Sequence, residues 1–231
     1  MKNVVCSFMV ALVTAGLPFA QEATPVHEVT GSDDLVKEKG HYQETWIHPD
    51  ADITRYSKLY LWNAMFQFRE GVEKSTGTTI GMSRGDQGPF AVREEDQERF
   101  KQVVGDAVVK ELARSKVFEV VDEVGPGTLL VRGAVVDIIS NVPPNVGRSA
   151  NIYLAAVGEA TIVFELIDAE TGVIQARVAE RRRIQPPGRM YDVSKAPTNA
   201  ATVWNEVERW AREEARTLRN ALEKAKKKAE K

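Results

Sequence analysis

Two kinds of hydrophobic repeat divide this chain into candidate strands and candidate helices. Apolar and polar residues alternate in Lys58–Arg69 and again toward the end of Asn151–Asp168, and a period of two puts alternate side chains on opposite faces of a strand. From Arg93 to about Ser115, and from Val203 to Leu222, apolar residues recur every three to four positions, as in an amphipathic helix. The pattern therefore predicts both strands and helices.

The first predicted strand should present a strongly aromatic face to the core. A strict period of two from Lys58 to Arg69 places Asn63, Gln67 and Arg69 on the polar face. The opposite face would then consist of Tyr60, Trp62, Ala64, Phe66 and Phe68.

Two hairpins are predicted from turn residues that lie between β-branched runs. In Val117–Ile139, Pro126 fixes φ at a turn position and the flanking glycines can adopt positive φ, so Val117–Val124 should reverse direction into Thr128–Ile139. The second hairpin should join the strand that ends at Asp168 to Val173–Ile184 through residues 168–172. Both hairpins favour an antiparallel sheet.

Each predicted helix has one apolar stripe. Three acidic residues, at positions 94–96, lie at the positive end of the first helix. The stripe of the first helix consists of Phe100, Val103, Val104, Ala107, Val108 and Leu112, and that of the second consists of Val203, Val207, Trp210, Ala211, Leu218 and Leu222. Each stripe should pack on the sheet.

These elements predict a single α+β domain over residues 46–222. Its sheet should be single and mostly antiparallel, with about five strands, and the two long helices should pack on it. We predict a signal peptide over residues 1–20, a flexible leader over 21–45 and a charged tail over 223–231. Six side chains should be buried, namely Phe100, Val104, Val108, Ile162, Phe164 and Trp210.

The first twenty residues indicate export. Lys2 precedes the almost wholly apolar run Val4–Leu17, and Ala20 is a small residue at a suitable cleavage position. Cleavage there would remove Cys6, the sole cysteine, and with it disulfides and thiolate chemistry. We therefore expect a periplasmic protein, free or associated with the envelope, without a transmembrane anchor in the mature chain.

Charge and motif content argue against several functions. A formal net charge of −2 is unlike that of a general nucleic-acid binder, and no cofactor motif is present. His41, Glu44, His48 and Asp50 do not have the spacing of a defined zinc motif, so we predict no metal site. All three histidines, His27, His41 and His48, precede the predicted core, which disfavours a histidine-based enzyme.

Strand carboxylates offer an alternative, enzymatic hypothesis. Glu159, Glu165 and Glu180 lie on adjacent predicted strands and could serve as an acid and a base. Arg177 and residues 181–183, all arginine, interleave with them, so cross-strand ion pairing explains both sets more simply. The alternative reading is a hydrolase of envelope glycans or peptides.

Three stretches resemble a bacterial family of exported proteins and lipoproteins that is catalogued as a domain of unknown function. They are Pro49–Leu61, Val121–Arg132 and the segments Val157–Ile162 and Asp168–Gly172, and the resemblance extends over about Trp46–Gly188. It implies an exported protein and supplies no catalytic residues.

The preferred hypothesis is a non-enzymatic interaction or assembly module. Its partner would be another envelope protein or an envelope polymer, contacted through the loops Gly71–Gly88 and Asn141–Ser149. Pro143 and Pro144 stiffen the second loop, which could present its neighbours at low entropic cost. The predicted binding residues are Asn145, Arg148 and Tyr153.

Overall fold

Seven strands form one sheet in the computed structural model, which describes residues 34–71, 89–143, 154–185 and 199–230. Two helices accompany them, α1 (Glu94–Leu112) and α2 (Ala200–Ala229), and a short 3-10 helix covers Ile53–Arg55. The strands are β1 (Val36–Lys37), β2 (Glu44–Ile47), β3 (Lys58–Phe68), β4 (Glu119–Val121), β5 (Thr128–Ser140), β6 (Gly158–Asp168) and β7 (Ile174–Ile184).

The sheet is mixed, with the order β1-β2-β7-β6-β5-β3-β4. The four adjacent pairs β1/β2, β2/β7, β7/β6 and β6/β5 are antiparallel. In contrast, β3 runs parallel to both of its neighbours, β5 and β4. The α+β class and the two long helices were predicted correctly, but the mostly antiparallel sheet of about five strands was wrong. Strands of two to four residues are too short to show alternation, and a parallel pair needs a crossover, here supplied by α1.

The predicted hairpin around Pro126 was wrong in its pairing, although its turn forms. The Thr128 N–H donates to the Gly125 carbonyl at 3.2 Å, and Gly127 has a φ of +72°. However, β3 lies between the two strands, because Lys58 pairs with Glu119 on one side and with Thr128 on the other. The turn therefore connects two strands that lie on opposite sides of β3.

A bulge changes the side-chain pattern of β3. The register with β5 shifts between Leu61 and Asn63. A strict period of two therefore does not continue through this point, and the side chains on one face before the shift do not continue on that face after it. Phe66 pairs with the buried Val135 of β5, whereas the Trp62 ring lies 5.7 Å from the Arg132 guanidinium. The prediction that Trp62 shares a face with Phe66 was therefore wrong.

The hairpin of β6 and β7 is confirmed. Phe164 pairs with Val178 and Leu166 pairs with Ala176, as the alternation predicts. At the turn, the Asp168 carboxylate accepts hydrogen bonds from the backbone N–H groups of Glu170 and Thr171 at 2.8 and 2.9 Å. This side chain closes the turn.

Both helices pack their predicted stripes against the sheet. Phe100 on α1 makes an edge contact with Phe68 of β3 and a tilted contact with Trp210 of α2. α2 begins with a reciprocal cap between Asn199 and Thr202. Five of the six residues predicted to be buried are buried, and Val108 is half-buried.

Ordered structure extends beyond the predicted domain limits at both ends. The stretch predicted as a leader contains β1 and the start of β2, and Tyr42 is buried there with its hydroxyl donating to the Glu214 carbonyl at 2.8 Å. At the other end α2 continues through Ala229, and the Lys226 ammonium donates to the Tyr56 carbonyl at 2.6 Å. Neither helix has both the length and the apolar character needed to cross a bilayer, among the residues that the structure describes.

Candidate functional site

The three predicted binding residues, Asn145, Arg148 and Tyr153, lie outside the described residues, as does most of the Gly71–Gly88 loop. The described residues on either side of the second loop are informative. Val142 and Pro143 lie at the start of this loop, Val157 lies beyond its end, and all three line one cavity. The candidate site is therefore the end of the sheet from which this loop departs.

The cavity lies between the end of the sheet and the first turns of both helices, and its volume is about 150 Å³. Strands β3, β5, β6 and β7 contribute to one wall, and α1 and α2 contribute to the other. An apolar cavity of this size is large enough for a benzene ring. Apolar lining side chains include Phe68, Phe100, Val142, Val157, Trp204 and Val207.

Polar groups occupy part of the cavity lining. Arg93 and Asp96 at the start of α1 form an ion pair at 2.8 Å, and Ser140 lies at the end of β5. The hydrogen bond from Arg93 to Asp96 is the main cause that raises the pKa of Arg93, so the guanidinium stays charged. An apolar space with a few polar groups is the usual form of a ligand-binding site.

The strand carboxylates of the hydrolase hypothesis are paired with arginines. Arg177 Nε lies 2.7 Å from the Glu165 carboxylate, which also contacts Arg132. Glu159 contacts Arg181 in the same way. The prediction of cross-strand ion pairing is confirmed for Glu159 and Glu165, whereas Glu180 pairs with Arg182 on its own strand, β7.

Sequence reasoning missed Asp137, which joins this set of ion pairs. It lies at a bulge of β5 with a φ of +54°, and Arg69 binds its carboxylate with two hydrogen bonds of 2.6 Å. Burial acts to raise the pKa of Asp137, but the hydrogen bonds from Arg69 and Arg181 outweigh it and hold the pKa below its ordinary value. A single aspartate within the run Val135–Ile139 was the available signal.

A second missed cluster lies between β7 and α2. Glu214 is only 1% exposed, Glu180 is also buried, and both carboxylates contact Arg182, at 3.3 and 2.6 Å respectively. Burial is the main cause that raises the pKa of Glu214 to about 7; Arg182 opposes the shift and Glu180 adds to it. Because both carboxylates are buried beneath the helix, we assign the cluster a structural role.

Replacing Glu214 by glutamine is expected to stabilise the fold at pH 8. A carboxyl group whose pKa is higher in the folded state contributes stability that is fully present below the unfolded pKa, about 4.5, and lost as pH rises through about 7. The wild type should therefore lose stability over this interval, whereas E214Q should not. We expect a gain of about 1–3 kcal/mol at pH 8 and almost none near pH 4.5, measured by urea unfolding.

The neighbouring Glu213 provides a matched control for this prediction. Its side chain is solvent-accessible, and its charge is the smallest of the causes that raise the pKa of Glu214, so Glu213→Gln should reduce the pH dependence of unfolding only slightly. If E214Q and E213Q had the same stability profile between pH 4.5 and 8, the raised pKa of Glu214 would be refuted.

The model of the family described as a protein of unknown function, DUF3313, matches residues 28–213 of this chain. The chain belongs to the DUF3313 family. This confirms the resemblance predicted over Trp46–Gly188 and extends it in both directions. No curated protein matches this DUF3313 chain in sequence. The family assignment brings no activity with it.

Several solved structures are similar to this DUF3313 chain. A Xanthomonas campestris protein of family DUF330 is 12% identical, with 80% of this chain and 94% of that chain covered and a TM-score of 0.42. A Helicobacter pylori protein described as a homolog of a neuraminyllactose-binding hemagglutinin is 11% identical, with 84% and 99% covered and a TM-score of 0.38. A PelC dodecamer from Paraburkholderia phytofirmans is 9% identical, with 77% and 94% covered and a TM-score of 0.28.

Proposed function

We propose that this protein is a non-enzymatic binding module of the bacterial cell envelope, and that its cavity receives one apolar side chain of a partner polypeptide. The observation that carries this proposal is the apolar cavity of about 150 Å³ beneath the first turns of α1 and α2. Interfaces commonly concentrate their binding energy in a few buried anchors of this kind.

The dimensions and lining of the cavity favour a side chain as the occupant. Its volume matches a phenyl or branched aliphatic group. Arg93, Asp96 and Ser140 provide polar groups that could bind the backbone of the same partner segment. The stretch with the predicted contact residues Asn145, Arg148 and Tyr153 departs from this cavity at Pro143.

Two further observations support binding rather than catalysis. Glu159 and Glu165 are ion-paired with arginines, and His48 Nδ1 accepts the backbone N–H of Asp50 at 3.1 Å in a turn. Export to the envelope is part of the same proposal, and it rests on the apolar segment that follows Lys2.

Small probes test the cavity directly. N-acetyl-L-phenylalaninamide should bind the full-length protein with a dissociation constant on the order of 1 mM, as expected for burial of one ring. Val203→Phe, which fills the cavity from α2, should abolish binding and leave the thermal midpoint unchanged or higher. Ala91→Leu fills the cavity from the α1 side and should act in the same way.

The control and the second probe make the result decisive. Val173→Phe places the same ring at an exposed position in the β6–β7 turn, so it should leave probe binding unchanged. Equal binding to wild type and to both filled variants would overturn the proposal. Tight binding of decanoate, with no response to the phenylalanine probe, would indicate a lipid-binding site and would also overturn it.

A further inference from the structure

Two carboxylates that share one counter-charge are buried between β7 and α2. Glu214 is 1% exposed and Glu180 is 7% exposed, and each carboxylate contacts the Arg182 guanidinium. Neither oxygen of Glu214, nor Oε2 of Glu180, accepts a hydrogen bond from the described residues. If both groups were ionised, the pair would carry one negative charge more than Arg182 neutralises. Because an uncompensated buried charge is costly, the closed arrangement is most stable when one of the two carboxyl groups holds a proton.

The other titratable groups around this pair do not supply the missing positive charge. On α2, Glu213 adds a further negative charge that acts on Glu214 in the same direction as Glu180. From the N-terminal segment Tyr42 faces both carboxylates, since burial, and after it the charges of Glu214 and Glu180, raise the pKa of this phenol. Among the described residues, Arg182 is the only cation within 4 Å of either carboxylate. The pair therefore depends on a proton for full neutralisation.

Residues 34–47, which we call the latch, provide the cover that is most easily removed. Tyr42 of the latch is buried, and its hydroxyl donates to the backbone carbonyl of Glu214 at 2.8 Å. The strands of the latch, β1 and β2, have only 2 and 4 residues, and β2 alone joins them to the sheet, at residues 176–179 of β7. A two-stranded ribbon is marginally stable by itself.

The two other elements that enclose the carboxylates are held more firmly. β7 is paired along both edges, with β2 and with β6, and α2 is a helix of 30 residues whose apolar stripe lies in the core. Local opening follows the route with the fewest buried contacts and backbone hydrogen bonds. Water should therefore reach the buried carboxylates by displacement of the latch, without unfolding of β7 or α2.

From these observations we propose that one proton, bound by the pair Glu180 and Glu214, holds the latch closed on β7 and α2, and that loss of this proton favours its detachment. Detachment would hydrate both carboxylates and free the edge of β7 at residues 176–179. The described latch residues do not line the cavity of the proposed function, so either proposal can fail without the other.

The direction of the pH effect follows from the two states of Glu214. Burial raises its pKa to about 7 when the latch is closed, whereas hydration in the open state returns the pKa to about 4.5. Opening therefore releases a proton between these two values. The opening constant should rise with pH from about 4.5 to about 7 and then stay constant.

Hydrogen exchange of the full-length protein, followed by mass spectrometry, tests the proposal. Amides of the latch should be roughly 100-fold less protected than those of β6, because the latch opens without global unfolding. After correction for intrinsic exchange rates, the opening constant of the latch should rise about tenfold between pH 5 and pH 7. Glu214→Gln has no ionisable carboxyl group at this position, so its latch should open to the same extent at both pH values.

Two further variants separate the proton from other contributions. His41→Gln removes the histidine of the latch, a residue type that commonly titrates in this pH range, and should keep the wild-type pH dependence. Tyr42→Phe removes the hydrogen bond to the Glu214 carbonyl, so it should raise the opening constant at both pH values and leave their ratio unchanged.

Four results would overturn the proposal. They are latch protection equal to that of β6, an opening constant that does not change between pH 5 and pH 7, an unchanged pH dependence in Glu214→Gln, and loss of the pH dependence in His41→Gln. The first would show that the latch opens only with the whole fold, and the last would assign the proton to the histidine.

Discussion

Replacing Asp168 by alanine is expected to lower the free energy of unfolding by roughly 3–5 kcal/mol. The Asp168 residue is 2% exposed, and its carboxylate accepts the Tyr56 hydroxyl at 2.7 Å and the backbone N–H groups of Glu170 and Thr171. Alanine would leave these donors without their acceptor at the turn between β6 and β7. Urea unfolding followed by circular dichroism at neutral pH measures the loss.

The pH dependence of stability provides an independent test of Asp168. Burial acts to raise its pKa, but the hydrogen bonds from Tyr56, Thr171 and Glu170 outweigh burial, so the pKa is lower than in the unfolded chain. The resulting stability is present above the unfolded pKa and is lost as pH falls through the folded pKa. D168A should therefore lose less stability than wild type between neutral pH and about pH 3.

Two milder variants separate the carboxylate from its partners. Tyr56→Phe removes one donor and should cost about 1–2 kcal/mol. Glu170→Ala removes an exposed side chain but keeps the backbone donor, so its effect should be below about 0.5 kcal/mol. A D168A variant no less stable than E170A would contradict the assigned role of Asp168.

Replacing Glu111 by alanine should have the next largest effect, a loss of about 2–4 kcal/mol. Glu111 lies on α1 at the interface with α2 and is 1% exposed. Its carboxylate lies 2.7 Å from Arg219 Nη1, 2.8 Å from Arg114 Nη1 and 3.5 Å from Arg216 Nε. Alanine would remove the counter-charge of the partly buried Arg219 and leave a cavity between the helices. The shift of the urea midpoint at constant slope measures the loss.

Arg114 serves as the control for this prediction. Its side chain is largely exposed, so Arg114→Ala should cost no more than about 1 kcal/mol, whereas Arg219→Ala should cost more. Equal losses for Arg114→Ala and Glu111→Ala would show that the buried carboxylate is not the centre of the cluster.

The sequence was sufficient to predict the long, strongly periodic elements. The apolar stripes of α1 and α2 and the alternation on both sides of Asp168 are local patterns, and each of these elements satisfies its own backbone hydrogen bonds or those of its nearest neighbour in sequence. β1, β2 and β4 contain too few residues to carry a period, so their existence depends on long-range pairing.

Long-range packing also decided the sites that the sequence did not reveal. Glu111 and Glu214 are charged residues within otherwise apolar helix faces, and they are buried only because arginines on other turns or strands meet them. The cavity is assembled from the ends of six strands and helices, so no single stretch indicates it. The proline-rich stretch at residues 141–144 includes Val142 and Pro143, which line the cavity, whereas the residues predicted to bind lie outside the described part of the chain.

The position of β3 between β5 and β4, both of which follow it in the chain, affects folding during synthesis. β3 is synthesised before both of its neighbours in the sheet, because β4 and β5 begin at Glu119 and Thr128. The start of β5 follows that of β3 by roughly 70 residues, which takes on the order of 4–14 s at typical translation rates. Throughout that time the segment 61–68, which contains no charged residue, has neither edge paired by its native strand. A growing chain is therefore most vulnerable to wrong strand pairing before β5 emerges, and slower synthesis between Phe68 and Ser140 lengthens that period.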